Sequence, residues 1–261
     1  MDLYAIMQNQ FGLFLLVFAR ISGIFSVAPI FGSRNIPLAV KAGMSLLLTY
    51  ILVPLLAYPD FTIPNALFAY ILLVISEFLV GLIIAFAASM AFNAIQMAGS
   101  IIDTQIGFGI VNVLDPQFGQ QTPLIGNFKY ILALVIFLTT NSHHLLLSAL
   151  FSSFQLIPVT KAVYHPSISD IIVNMVVGIF VIALKISLPV LVSLLLTDVA
   201  LGILSRTMPQ MNIFIVGMPG KIIVGIFVLS LALPFYIMFL EVVFNDMFRN
   251  IYHLMASMGR L

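Results

Sequence analysis

Residues 171–204 read IIVNMVVGIFVIALKISLPVLVSLLLTDVALGIL, an apolar run in which Lys185 and Asp198 are the only acidic or basic side chains. About 20 apolar residues in helical form cross a bilayer. This run exceeds that need, since ~30 residues as helix already reach ~45 Å. The surplus predicts a helix that is tilted, broken or partly buried against protein in place of lipid. Pro189 marks a break inside it, because proline removes a helical donor and clashes with the preceding turn.

Working outward, five more runs of the same kind appear: Phe11 to Ile30, Ala39 to Tyr58, Ala66 to Ala98, Leu124 to Leu150 and Phe214 to Phe244. Pro54 and Pro234 are further expected breaks. The predicted fold is therefore an all-α membrane protein of about six long, kinked hydrophobic helices arranged as helical hairpins. Composition agrees. Apolar residues make up 62% of the 261 and charged residues 7%, against roughly a quarter charged in soluble domains. A globular core of this size needs a polar exterior, so the surroundings are lipid or other apolar subunits.

Charge sets few further limits. Ten Lys and Arg oppose nine Asp and Glu, for a formal +1, and no basic tract suggests nucleic acid. With six spans both ends share a side, which would hold Lys161, Arg249 and Arg260 against Arg34, Lys41, Arg206 and Lys221; the positive-inside bias is near a tie. Met1 to Gln10 lacks Lys and Arg, and Arg20 interrupts the run behind it, so this end reads as a retained span and not a signal peptide.

Most connecting segments are short and turn-like, as at Gly32 to Pro37 and Tyr58 to Asn65. Gly99 to Pro123 differs. It contains IGFGIVNVLDPQFGQQTP, apolar and punctuated by glycine, with Asp115 and Pro116 favouring a turn. Phe108, Ile110, Val111, Val113, Leu114 and Phe118 need an apolar destination, while Gly107 and Gly109 permit tight bending.

Ionisable residues inside apolar spans are the first candidates for function, since each costs roughly 2.5–3.5 kcal/mol at helix centre. Arg20, Glu77, Lys185, Asp198, Lys221 and Glu241 qualify, and Arg206 is counted with them as a buried structural charge. Spread one or two to a segment, they read as paired struts between helices; a proton relay would need clustering. Asp103 and Asp198 lack the Gly-x-Gly-Asp and Tyr-Asp contexts of intramembrane aspartyl proteases. His143 and His144 are adjacent and point about 100° apart on a helix, which suits a polar helix end and not a shared metal. Cysteine is absent, and no P-loop or Gly-x-Ser-x-Gly elbow occurs, so neither a cofactor nor catalysis is expected.

Two stretches carry a family resemblance. FLLVFARISGIFSVAPIFGSRNIPLAVKAG, with Arg20, Pro29, Phe31, Pro37 and Lys41, resembles the opening of FliR proteins, export-gate subunits of the flagellar type III secretion system that are related to injectisome subunits. LLLTDVALGILSRTMPQMNIFIVGMPGKI, residues 194–222, resembles that family's most distinctive run through Asp198, Gly202, Arg206, Pro209, Gln210, Asn212, Gly217, Pro219 and Lys221. The polar and Gly/Pro tip of this run interrupts two long apolar helices, and such backbone is tolerated at membrane depth only when buried in protein or lining a cavity.

The resemblance implies a single FliR-type export-gate domain over 1–261: a FliP-like part over 1–165, with a plug loop at about 106–123, and a FliQ-like hairpin and tail over 166–261. It implies FliP and FliQ as core partners, FlhB and FlhA as further parts of the apparatus, unfolded flagellar proteins as cargo, and the bacterial inner (cytoplasmic) membrane as location. Gly107 to Phe118 would plug the closed channel, as a hydrophobic constriction excludes water and ions. Two alternatives stand beside this: a self-contained small-solute transporter, which predicts internal repeats, and a membrane-embedded enzyme, which predicts a convergent polar cluster.

Overall fold

A computed structural model describes residues 3–56, 64, 66–108, 123–210 and 212–259. Among these the regular structure is helical, without strands. The helices are α1 (Leu3–Val27), α2 (Leu38–Leu52), α3 (Leu67–Ile106), α4 (Leu124–Thr139), α5 (Ser142–Leu156), α6 (Pro166–Thr207) and α7 (Ile213–Gly259). Five are long and apolar enough to cross a membrane, or six if α4 and α5 together make one broken span. The all-α membrane fold expected from the sequence is the observed one.

The chain forms two compact units. The first holds residues 1–90, 141–175 and 246–261. Its centre is the crossing of α1 and α3, which two glycines permit. A Cβ on Gly81 would stand 2.0 Å from the Arg20 carbonyl oxygen, and one on Gly23 would stand 2.4 Å from that of Phe78. Small residues thus bring the two backbones together, as is common where apolar helices associate without a hydrophobic gradient. Leu16, Ile21, Ile84, Leu146 and Phe154 fill the surrounding core. The end of α7 closes the unit: Val163 N–H donates to the Met258 carbonyl at 3.0 Å, and Gly259 lies against the Leu156 carbonyl.

The second unit holds residues 91–140 and 176–245. Here α3 and α4 meet at Gly99 and Gly126, where a Cβ on Gly99 would fall 2.1 Å from the Gly126 Cα. Phe92, Phe137 and Phe244 pack ring against ring at centroid distances of 5.2–5.7 Å. Ile102, Ile106, Ile125, Val190 and Leu194 form a second apolar cluster.

Several boundaries differ from the sequence expectation. α3 does not stop at Ala98 but runs on to Ile106, because Ala91, Ile95, Ala98, Ile102 and Ile106 continue one buried stripe at helical spacing. The expected single span Leu124 to Leu150 is interrupted at Asn141, whose φ of 56° is left-handed; asparagine tolerates that conformation. Pro54 ends regular α-helix as expected, in a 3-10 turn, whereas Pro189 and Pro234 are accommodated inside continuous helices. Apolar spans accept proline where nearby groups re-satisfy the freed backbone. α7 extends beyond Phe244 because Ile251, Leu254, Met255 and Met258 are buried in the first unit.

Candidate functional site

The site of greatest interest is the base of the apolar loop. α3 ends at Gly107, whose φ of 103° only glycine adopts freely. The amides of Gly107 and Phe108 both donate to the Asp103 carbonyl, at 3.2 and 3.1 Å. The Asp103 carboxylate meanwhile reaches the start of α4, with Oδ1 accepting from Ile125 N–H at 3.0 Å and Oδ2 from Gly126 N–H at 3.1 Å. Free amides at a helix start carry partial positive charge, so a carboxylate is their best acceptor. One residue thereby closes both ends of the loop into a neck.

Phe108 packs on the cluster of Ile102, Ile106, Ile125, Val190 and Leu194, together with Ile222 of α7. Met218 comes to 3.8 Å from the Cβ position of Gly107. The neck therefore adjoins the first turns of α7, bringing the predicted loop base beside the predicted hairpin tip. Gly217 is buried, while Pro209, Gln210, Asn212 and Pro219 are exposed. The remaining loop candidates, Gly109, Ile110, Val111, Val113, Leu114, Asp115, Pro116 and Phe118, lie outside the described residues.

The charged candidates separate into three groups. Arg20 and Glu77 are fully buried in the first unit. Arg20 Nε donates to Glu77 Oε2 at 2.6 Å, and its Nη1 donates to the carbonyls of Ser153 and Ile157 at 2.9 Å each. The guanidinium also stands 4.4 Å from the centre of the Phe154 ring. Glu77 Oε1 takes the Thr160 amide at 2.7 Å, which holds Thr160 at a left-handed φ of 69°. Asp198 and Lys221 form an ion pair between α6 and α7 near the hairpin tip. Lys185, Arg206 and Glu241, expected inside apolar surroundings, are exposed on the chain itself.

Sequence reasoning missed two residues. The sequence around Asp103 carries no capping signal, because its capping partners lie 22 and 23 positions away. Lys129 is buried to 3% exposure, though its place near the start of an apolar run resembles an ordinary helix-end lysine. His143 and His144 open α5, with ring centroids 4.1 Å apart. No group of three metal-ligating side chains occurs among the described residues.

Residues 11–247 match the family described as bacterial export proteins, family 1. The chain is 41% identical to the flagellar biosynthetic protein FliR of Bacillus subtilis (strain 168), over 96% of this chain and 97% of that protein. It is 35% identical to the protein of that name from Pectobacterium carotovorum, over 93% and 92% of the two chains. The Escherichia coli (strain K12) protein is 31% identical over 88% and 87%.

Proposed function

Since the chain belongs to the bacterial export proteins, family 1, we propose that it is a pore subunit of a flagellar type III export gate, assembled with FliP and FliQ in the inner membrane. In this reading FlhB and FlhA complete the apparatus, unfolded flagellar proteins are the cargo, and the chain performs no catalysis of its own. Residues 1–165 would form the FliP-like part and 166–261 the FliQ-like hairpin.

One observation carries the assembly reading. The most apolar stretches of α7, α2 and α6 are 11%, 17% and 28% buried within the chain, against 39% for α3 and 56% for α1. Lys185 on α6 and Glu241 on α7 are exposed, where contact with lipid would cost roughly 2.5–3.5 kcal/mol each. Neighbouring protein removes that cost by supplying partners. The Asp103 neck supports the plug: it holds Gly107 and Phe108 at the end of α3 against Ile125 and Gly126 at the start of α4, so that an apolar, glycine-bearing stretch of sequence begins and ends beside the α6–α7 hairpin.

Coexpression with FliP and FliQ homologues, followed by native mass measurement, should give one complex containing all three. A solitary chain that carries solute across liposomes would refute the reading in favour of a transporter. Replacing Phe108 to Leu114 by Gly and Ser should leave that complex intact and make its membrane leaky to ions. Unchanged conductance would remove the plug role.

A further inference from the structure

A cavity of about 240 Å³ lies in the second unit among α4, α6 and α7. Lys129 and Lys185 line it together with Pro189, Leu233, Tyr236 and Phe239. Lys129 is buried and held at both ends. Its Nζ stands 4.8 Å from the centre of the Tyr236 ring, and the Tyr236 hydroxyl donates to the Lys129 carbonyl at 2.9 Å. Lys185 is exposed, so the cavity has a cation at its back and a second at its mouth.

No carboxylate lines this space. Of the three described acids of the unit, Asp103 is engaged with two amides, Asp198 with Lys221, and Glu241 is exposed on α7 outside the cavity lining; no described carboxylate forms an ion pair with either lysine. The Tyr236 ring face offers one ammonium partial compensation. Two like charges at one apolar cavity still repel, and intramembrane cations ordinarily pair.

We propose that this cavity receives a carboxylate carried on an apolar helix of a neighbouring protein subunit. The inference rests on reading the chain as a subunit of an assembly. Position favours a protein carboxylate over a lipid headgroup. Lys185 and Tyr236 stand near the midpoints of α6 and α7, whereas headgroups lie at the margins of a hydrocarbon layer ~30 Å thick. Leu184, Leu188 and Phe235, all exposed, supply the apolar bed on which such a helix rests.

The test places a photo-crosslinking amino acid at Ala232, which lines the cavity, in the full chain within its native membrane. The expected product joins Ala232 to one neighbouring protein through an apolar peptide bearing Asp or Glu. Lys185→Met, at an exposed position, should lower the yield about tenfold, as should neutralising that acid. Lys185→Glu combined with the acid changed to Lys should restore it. Linkage to phospholipid, to this chain's own residues 109–122 or to a peptide without an acid overturns the site, as does a yield indifferent to Lys185→Met. An intact assembly without any cross-link also overturns it. A wild-type chain that purifies without neighbours defeats the assembly reading and the site together.

Discussion

Arg20 and Glu77, 57 residues apart in sequence, meet at 2.6 Å where neither side chain touches solvent. The remaining polar atoms of the two are largely satisfied by carbonyls and an amide from the chain after α5 and at its end. The pair therefore joins α1, α3 and α5 in one node. Removing one partner of a buried pair typically costs 3–5 kcal/mol, because the other charge stays buried and unpaired, whereas removing both is often close to neutral. Arg20→Met and Glu77→Met should each lower stability in detergent by about that amount, and the double variant by less than either alone. Additive losses in a denaturation series would show that the two charges act independently.

The glycines of α1 and α3 should be more sensitive than their size suggests. At Gly81 an added methyl meets backbone, which cannot rotate aside, so Gly81→Ala should destabilise by about 1–3 kcal/mol as an overpacked site does. Gly43→Ala and Gly178→Ala meet nothing within 4 Å, and each should stabilise by about 0.8–1 kcal/mol through helix propensity. Parallel thermal unfolding of the three variants checks the sign difference.

Asp103→Asn keeps the shape of the cap but loses its charge and one of its two acceptor oxygens. Loss of a cap costs about 0.5–2 kcal/mol, and the unfolding midpoint should fall accordingly. If the neck positions the loop, ion conductance of membranes carrying the assembly should rise as well. Lower stability with unchanged conductance would confine Asp103 to a folding role.

Asp198 and Lys221 tie α6 to α7 in a partly exposed setting. Asp198→Asn and Lys221→Met should each reduce recovery of the complex several-fold. The exchange Asp198→Lys with Lys221→Asp should restore most of it, as measured by co-purification of the partners. Failure of the exchange, with both single variants impaired, would assign the two side chains to different contacts.

The spans were legible because a bilayer demands long apolar runs, and such runs show in one dimension. Their exact ends were not, since those depend on contacts between distant residues: Gly99 remains helical because the Gly126 backbone packs against it. Arg20 and Glu77 stood out as opposite charges inside apolar runs, yet nothing in the sequence said they would meet. Asp103 was harder still. A helix-capping residue ordinarily sits next to the helix it caps, and here the carboxylate comes from the preceding helix.

The hydrogen bonds of Asp103 at the loop base also bear on how this stretch can diverge. With one hem stitched by the carbonyl of Asp103 and the other by its carboxylate, a change of length within residues 109–122 should leave α3 and α4 in place. Doubling the number of residues between two fixed chain ends adds only about 0.6 kcal/mol of closure entropy. Insertions and deletions among relatives should therefore gather between Phe108 and Pro123, and stay away from the stitch itself.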